Sequence, residues 1–300
     1  EAKPKTNGTK SIPAPKGSLL APPKQSKEER KKELERGRQL AAQAEKARAE
    51  VEAKTEAAAQ MTAEAKTRKL AEAILKDEEK RANDPRTIAE GERMKEELTK
   101  YWTDNATSPI LLQRQRLPSW AKQQELIEAV ERNQVLIVAG ETGCGKTTQL
   151  PQFILDNAIW QGRGAVMNMI CTQPRRISAT SVATRVASER GEQIGKTVGY
   201  KIRLEGSMSS NTRILFCTTG VLLRRLTEDP LLSGVSHVIV DEVHERSLDS
   251  DFLLVLLRDI LPHRPTLKVV LMSATLNALA FEEYFKGVSA VSQIPGFTYP

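Results

Sequence analysis

The chain has 300 residues, enough to bury the core of one or two domains. Hydrophobic residues make up 39%, aromatic residues 4% and charged residues 28%, so part of the chain must be unusually polar. The formal net charge of +7 fits an anionic partner such as nucleic acid, while no apolar run approaches the roughly 18 residues of a membrane span and the basic N-terminus lacks the apolar segment of a secretory signal. Cys144, Cys171 and Cys217 show no CxxC spacing and no pairing with the three histidines, so they read as reduced interior residues of an intracellular protein.

Residues 1–26, "EAKPKTNGTKSIPAPKGSLLAPPKQS", are rich in Pro, Lys, Gly and Ser without an apolar period and read as a disordered basic tail. From Lys27 to Asn83 the composition turns to Glu, Lys, Arg, Ala and Gln, with no proline and Gly37 as the one glycine, so residues 27–100 read as a charged helical extension. Leu34, Leu40, Val51, Met61 and Leu70 are too irregularly spaced to hold the heptad of a coiled coil. A solvated helix is the plain reading of this stretch, and a non-specific hold on RNA or ribosomal phosphate the alternative.

From Tyr101 to 295 short apolar runs alternate with amphipathic stretches. "QVLIVAG", "GAVMNMICT", "TRILFCT", "HVIVDE" and "LKVVLMSAT" have mostly lost the polar alternation of a half-exposed strand. Between them lie "TTQLPQFILDNAI", "ISATSVATRVASER", "GVLLRRLTED" and "DSDFLLVLLRDIL". This pattern predicts an α/β fold, a parallel sheet with helices on both faces, whose ligands bind at the carboxyl ends of the strands.

Two motifs stand at such ends. "GETGCGKTT", Gly140 to Thr148, fits G-x-x-x-x-G-K-[ST] between an apolar strand and a helix. Its glycines let backbone N–H groups converge on phosphate oxygens, Lys146 would reach the β- and γ-phosphates, and Thr147 would offer its hydroxyl to Mg²⁺. In "HVIVDEVHERS" the adjacent carboxylates of Asp241 and Glu242 close a strand too hydrophobic to tolerate them unpaired. They suit the second half of a P-loop NTPase site, Asp241 toward Mg²⁺ and Glu242 toward the attacking water.

Together with "TQPRRISATSVATRVA", "GYKIRLE", "TTGVLLRRL" and "LMSATLN", these motifs make the segment from Leu117 to Pro300 resemble the DEAH/RHA group of superfamily 2 RNA helicases, while residues up to about 100 lie outside the resemblance. The resemblance implies a RecA-like first motor lobe using ATP, or other NTPs, with Mg²⁺, and coupling hydrolysis to single-stranded RNA translocation and to duplex or RNP remodelling. Gly140, Glu141, Thr142, Gly143, Cys144, Gly145, Lys146, Thr147 and Thr148 would line the triphosphate. Lys146, Asp241 and Glu242 would carry the chemistry, with Thr147 and the two acids serving the metal. His244, Ser273 and Thr275 would couple nucleotide state to lobe movement, and Arg185 would stack on the base. Arg175, Arg176, Arg203, Thr218 and Thr219 would grip the backbone of single-stranded or structured RNA, with Arg224 a weaker candidate.

Valine replaces alanine in the DEAH box, a variation the family tolerates. Residues 296–300 resemble the start of a linker to a second lobe, so the piece alone is expected to bind nucleotide weakly, hydrolyse it slowly and unwind nothing. G-patch-like or ribosomal partners and a cytoplasmic rather than nuclear location are further expectations. A DNA translocase, a binding module acting through the charged tail and a P-loop kinase are the competing readings, the last without an acceptor site to support it.

Overall fold

The computed structural model describes residues 27–274 and 278–295. The tail 1–26, Thr275 and the linker segment 296–300 lie outside them. The chain divides into one unit ending at Ala63 and another beginning at Glu64. In the first, the helix α1 (Lys27–Ala82) is built from strong helix formers, and every described side chain up to Ala63 is exposed. Ion pairs at helical spacing, such as Lys54–Glu50 at 3.0 Å, run along it.

The second unit is built on a sheet of eight strands among the described residues: β1 (Val135–Gly140), β2 (Met169–Gln173), β3 (Val198–Ile202), β4 (Glu205–Ser207), β5 (Ile214–Thr218), β6 (His237–Val240), β7 (Lys268–Ser273) and β8 (Ser289–Ile294). Their order is β4-β3-β5-β2-β6-β7-β1-β8, and every pair is parallel except the β3–β4 hairpin. Arg203 and Leu204 form the two-residue connection of that hairpin.

Alternate residues of each central strand feed opposite cores. Val135, Ile137 and Ala139 of β1 point into one core, with Leu222 of α8 (Thr219–Glu228), Leu253 and Leu257 of α9 (Leu248–Ile260) and Phe281 of α10 (Ala278–Tyr284). Leu136 and Val138 point into the other, with Val130 of α5 (Gln123–Arg132), Leu150 and Ile154 of α6 (Lys146–Trp160) and Val186 of α7 (Arg176–Glu189). Helices therefore cover both faces, as the run of apolar strands and amphipathic stretches predicts. All three cysteines are free and buried.

Packing reaches further toward the amino terminus than a boundary at Tyr101. Ala71 and Ile74, in the last turns of α1, are buried in the first core, and Leu98 of α2 (Pro85–Asp104) in the second. The reason is an apolar stripe that the charged composition hides: three residues in the right register suffice to dock helices that are otherwise polar. Two short helices, α3 (Pro109–Gln115) and α4 (Pro118–Ala121), then lead into α5. Arg264, fully buried after α9, holds the last turns of α1, which belong to this second unit. Its Nη2 donates to Glu78 Oε1 at 2.6 Å and to the Val235 carbonyl at 3.0 Å, and its Nη1 donates to the carbonyls of Leu231 and Leu232.

Candidate active site

Strands β6, β7 and β1 are neighbours, so Asp241, Ser273 and Gly140 emerge side by side at the carboxyl edge of the sheet. The loop after β1 turns back through two left-handed glycines, Gly143 at φ 84° and Gly145 at φ 95°. Gly145 has a second constraint, because a Cβ there would lie 2.5 Å from Ser119 Oγ. Glycine alone satisfies both demands, and it starts α6 with its N–H groups free to face the loop.

Within this loop Glu141, Thr142 and Gly143 are exposed and Lys146 is buried. The Lys146 ammonium donates to the Gly140 carbonyl and, at 2.9 Å, to that of Glu141. Cys144 is fully buried in the core on the α6 side of the sheet, and its Sγ lies 3.7 Å from the Lys146 ammonium, beneath the loop. Thr148 turns its hydroxyl aside to accept from Gln149 Nε2 at 2.9 Å.

Thr147, in the first turn of α6, donates from Oγ1 to Asp241 Oδ2 at 2.6 Å. The same carboxylate accepts from Gln173 Nε2 at 2.6 Å and, through Oδ1, from the Glu242 N–H at 2.9 Å. Burial pushes the Asp241 carboxyl above its usual range, against the opposing pull of these donors and of the Lys146 charge. Glu242 is also raised, by burial and then by the adjacent Asp241 charge.

The backbone departs from ordinary geometry here. Glu242 and Arg246 both adopt left-handed angles, with φ of 54° and 50°, on either side of a single 3₁₀ turn, Val243–Glu245. Non-glycine residues held this way carry a backbone cost and cluster at functional sites. Val243 sinks into the core, and Arg246 is clamped by Asp251 at 2.9 and 3.0 Å. His244 Nδ1 lies 3.2 Å from the Ala274 N–H and 3.3 Å from Glu242 Oε2, so one imidazole touches both the DEVH turn and the end of β7. Ser273 is fully buried.

These groups suit a magnesium nucleotide. A hydroxyl and carboxylates are the hard oxygen donors that Mg²⁺ takes in small number beside phosphate and water, and the ammonium and the helix start supply positive charge for phosphate oxygens.

A groove of about 1050 Å³ runs along the neighbouring strand ends, lined by Arg175, Arg176, Arg203, Thr218 and Thr219. Lys201 of β3 and Arg224 and Arg225 of α8 add three cations to it, and Glu228, Asp229, Glu245 and Asp249 line it as well, so cations outnumber carboxylates six to four. Arg175 also pairs with Glu245 at 3.2 Å, which joins the groove to the DEVH turn. Arg185 stands apart from the groove on α7, half-exposed, with its Nε donating to Glu189 Oε1 at 2.7 Å.

Three residues at the site, Gln173, Lys201 and Glu189, are not declared by the sequence motifs. Gln173 precedes "PRR" at a strand end and Lys201 precedes "IRLE", so both had a positional signal; Glu189 had none beyond its helical spacing from Arg185.

The DEAD/DEAH box helicase family matches residues 120–283. The chain is similar to the DExH-box ATP-dependent RNA helicase DExH1 of Arabidopsis thaliana, 58% identical over 207 residues that cover 69% of this chain and 21% of the relative. It is similar also to the putative ATP-dependent RNA helicase DHX57 of Homo sapiens, 58% identical over 191 residues, 64% of this chain and 14% of the relative. To the ATP-dependent DNA/RNA helicase DHX36 of Bos taurus it is 51% identical over 212 residues, 70% of this chain and 21% of the relative. The chain thus spans about a fifth or less of the length of these relatives. A match over more than half of its residues, centred on the strands that carry the site, makes this chain a member of the DEAD/DEAH box helicase family.

Proposed function

We propose that this chain is the RecA-like, nucleotide-binding lobe of an ATP-dependent RNA helicase that couples hydrolysis to movement along single-stranded RNA and to remodelling of duplexes or RNPs. The observation that supports this most is the 2.6 Å hydrogen bond between Thr147 and Asp241, two residues far apart in sequence that meet beside the Lys146 loop. In this reading Lys146 and the loop amides from Gly140 to Thr148 hold the triphosphate. Thr147, Asp241 and Glu242 would hold Mg²⁺. Bound Mg²⁺ supplies charge neutralisation at the phosphate oxygens.

Glu242 orients the attacking water and accepts its proton, a task suited to a carboxylate raised from its usual range. Arg185 stacks on the base with little selectivity among bases, so other NTPs serve as well as ATP. His244, which accepts from the Ala274 N–H, couples the state of the site to lobe movement together with Ser273 and Thr275. The cationic groove takes RNA phosphates without reading sequence. G-patch-like or ribosomal partners and a cytoplasmic setting go with this reading. Among the described residues no helix is long and apolar enough to cross a membrane.

The test is ATP hydrolysis with and without single-stranded RNA by the protein that carries this lobe. Asp241→Asn should abolish the RNA-stimulated rate, and wild-type turnover in that variant would overturn the reading. The 300-residue chain alone should bind nucleotide weakly and hydrolyse it slowly, and robust RNA-stimulated turnover by it would contradict the one-lobe assignment. The name of the DNA/RNA helicase DHX36 favours a second reading in which DNA also serves. Comparing stimulation by RNA and DNA of matched sequence separates the two, because phosphate contacts alone do not distinguish the 2′-OH.

A further inference from the structure

We propose that Glu189 is a positioning residue for nucleotide recognition, holding the Arg185 guanidinium in the plane that stacks on the base. This inference rests on the reading of Arg185 as the stacking residue.

The Glu189 side chain, at the end of α7, is 2% exposed. A carboxylate so buried needs donors on every side to offset the loss of water. Oε2 accepts from Gln149 Nε2 and Gln152 Nε2, both at 2.8 Å, with Arg114 Nε 3.6 Å away. Arg114 is itself 1% exposed, lies 5.6 Å from the Trp102 ring and 5.7 Å from that of Trp120, and donates to Gln149 Oε1 at 2.9 Å. The Glu189 backbone carbonyl accepts from the Tyr101 hydroxyl. With Oε2 committed to α6, Oε1 is left for Arg185 Nε at 2.7 Å. Gln113 Oε1 meets Arg185 Nη2 at 3.5 Å from a second side.

An ordinary i,i+4 ion pair on a helix surface would need none of this, and would contribute little. Here one partner is half-exposed while the other is fixed in a buried network. That asymmetry aims a flexible cation. The same network ends at the phosphate loop, because Gln149 Nε2 also donates to Thr148 Oγ1 at 2.9 Å. Ordering the guanidinium before the nucleotide arrives lowers the entropy lost on binding, as preorganisation does generally.

The experiment compares affinity for Mg-ATP with affinity for inorganic tripolyphosphate in the whole protein carrying this lobe, for wild type, Glu189→Gln, Arg185→Ala and the double variant. Glu189→Gln should weaken ATP binding about three- to ten-fold, the scale of one hydrogen bond, and leave tripolyphosphate binding unchanged. Arg185→Ala should show the same selective loss, and the double variant no more than Arg185→Ala alone. Selective loss in Arg185→Ala with none in Glu189→Gln would overturn the positioning role. So would equal loss of both ligands in Glu189→Gln, which marks a purely structural residue. No selective loss in Arg185→Ala would instead remove the stacking reading beneath it. Should Glu189→Gln fail to fold, Glu189→Asp keeps the charge beside Arg114 while drawing back from Arg185. It should give the same selective loss, and full ATP affinity in that variant would likewise overturn the proposal.

Discussion

Glu242 sits two residues past the end of β6 in a left-handed conformation, with its carboxyl raised by burial and by Asp241. If it takes the proton of the attacking water, Glu242→Gln should lower kcat by about 10²–10⁴-fold, the usual contribution of a general base, with little change in the KM for ATP. Steady-state hydrolysis in the presence of RNA checks this. A second residue-scale prediction concerns His237 at the start of β6. Burial, reinforced by the Lys268 and Arg163 charges, holds its imidazole down at about 3, against 6.5 when free. Between those values the unfolded chain binds the proton that the folded one refuses, so stability rises with pH across the window and is lost on acidification below 6.5. His237→Asn should therefore flatten the fall in thermal midpoint between about pH 7 and pH 5. The residues legible in the sequence, Lys146, Thr147, Asp241 and Glu242, are those whose position in a motif declares them. Gln173 and Glu189 act only through contacts made across the fold, and the left-handed backbone at Glu242 and Arg246 has no glycine to announce it.

At the scale of elements, the five strands foreseen from apolar runs are β1, β2, β5, β6 and β7, which fill the middle of the sheet. The three not foreseen as strands, β3, β4 and β8, lie at its two edges. Edge strands are partly solvated and need no continuous apolar run, so "VGYKI" and "SAVSQI" carry a weaker signal. Helices α8 and α9 were legible for the complementary reason, since each buries one stripe at helical spacing, whereas α6 is buried over most of its surface. Arg264 belongs to this scale because it ties α1, through Glu78, to the segment 231–235 before β6. Its replacement by alanine removes a fully buried cation and strands the carboxylate and carbonyls around it. Arg264→Ala should cost about 3–5 kcal/mol, read as a lower midpoint in urea with an unchanged slope.

For the whole molecule, the +7 net charge is a weak indicator, and its placement says more. Arg175, Arg176, Lys201, Arg203, Arg224 and Arg225 gather in one groove at the same sheet edge as the phosphate loop, where they outnumber Glu228, Asp229, Glu245 and Asp249. If each holds a phosphate of single-stranded RNA, the slope of log affinity against log salt should flatten by about 0.7 for each cation removed. Titrations of the whole protein carrying Arg176→Ala and Arg203→Ala check this, and an unchanged slope would mean that the residue touches no phosphate. The order of the strands, which brings this groove beside the nucleotide residues, follows from crossover connections that no single segment encodes.

The last turns of α1 decide where a shortened form of this chain can begin. Ala71 and Ile74 are wall material for one core, and Glu78 neutralises Arg264 from the same helix. A form starting at Glu64 keeps that wall and its counter-charge. One trimmed to Tyr101 exposes the apolar floor beneath and leaves a guanidinium stranded inside, so its behaviour toward RNA would report damage to the scaffold instead of the loss of a binding arm.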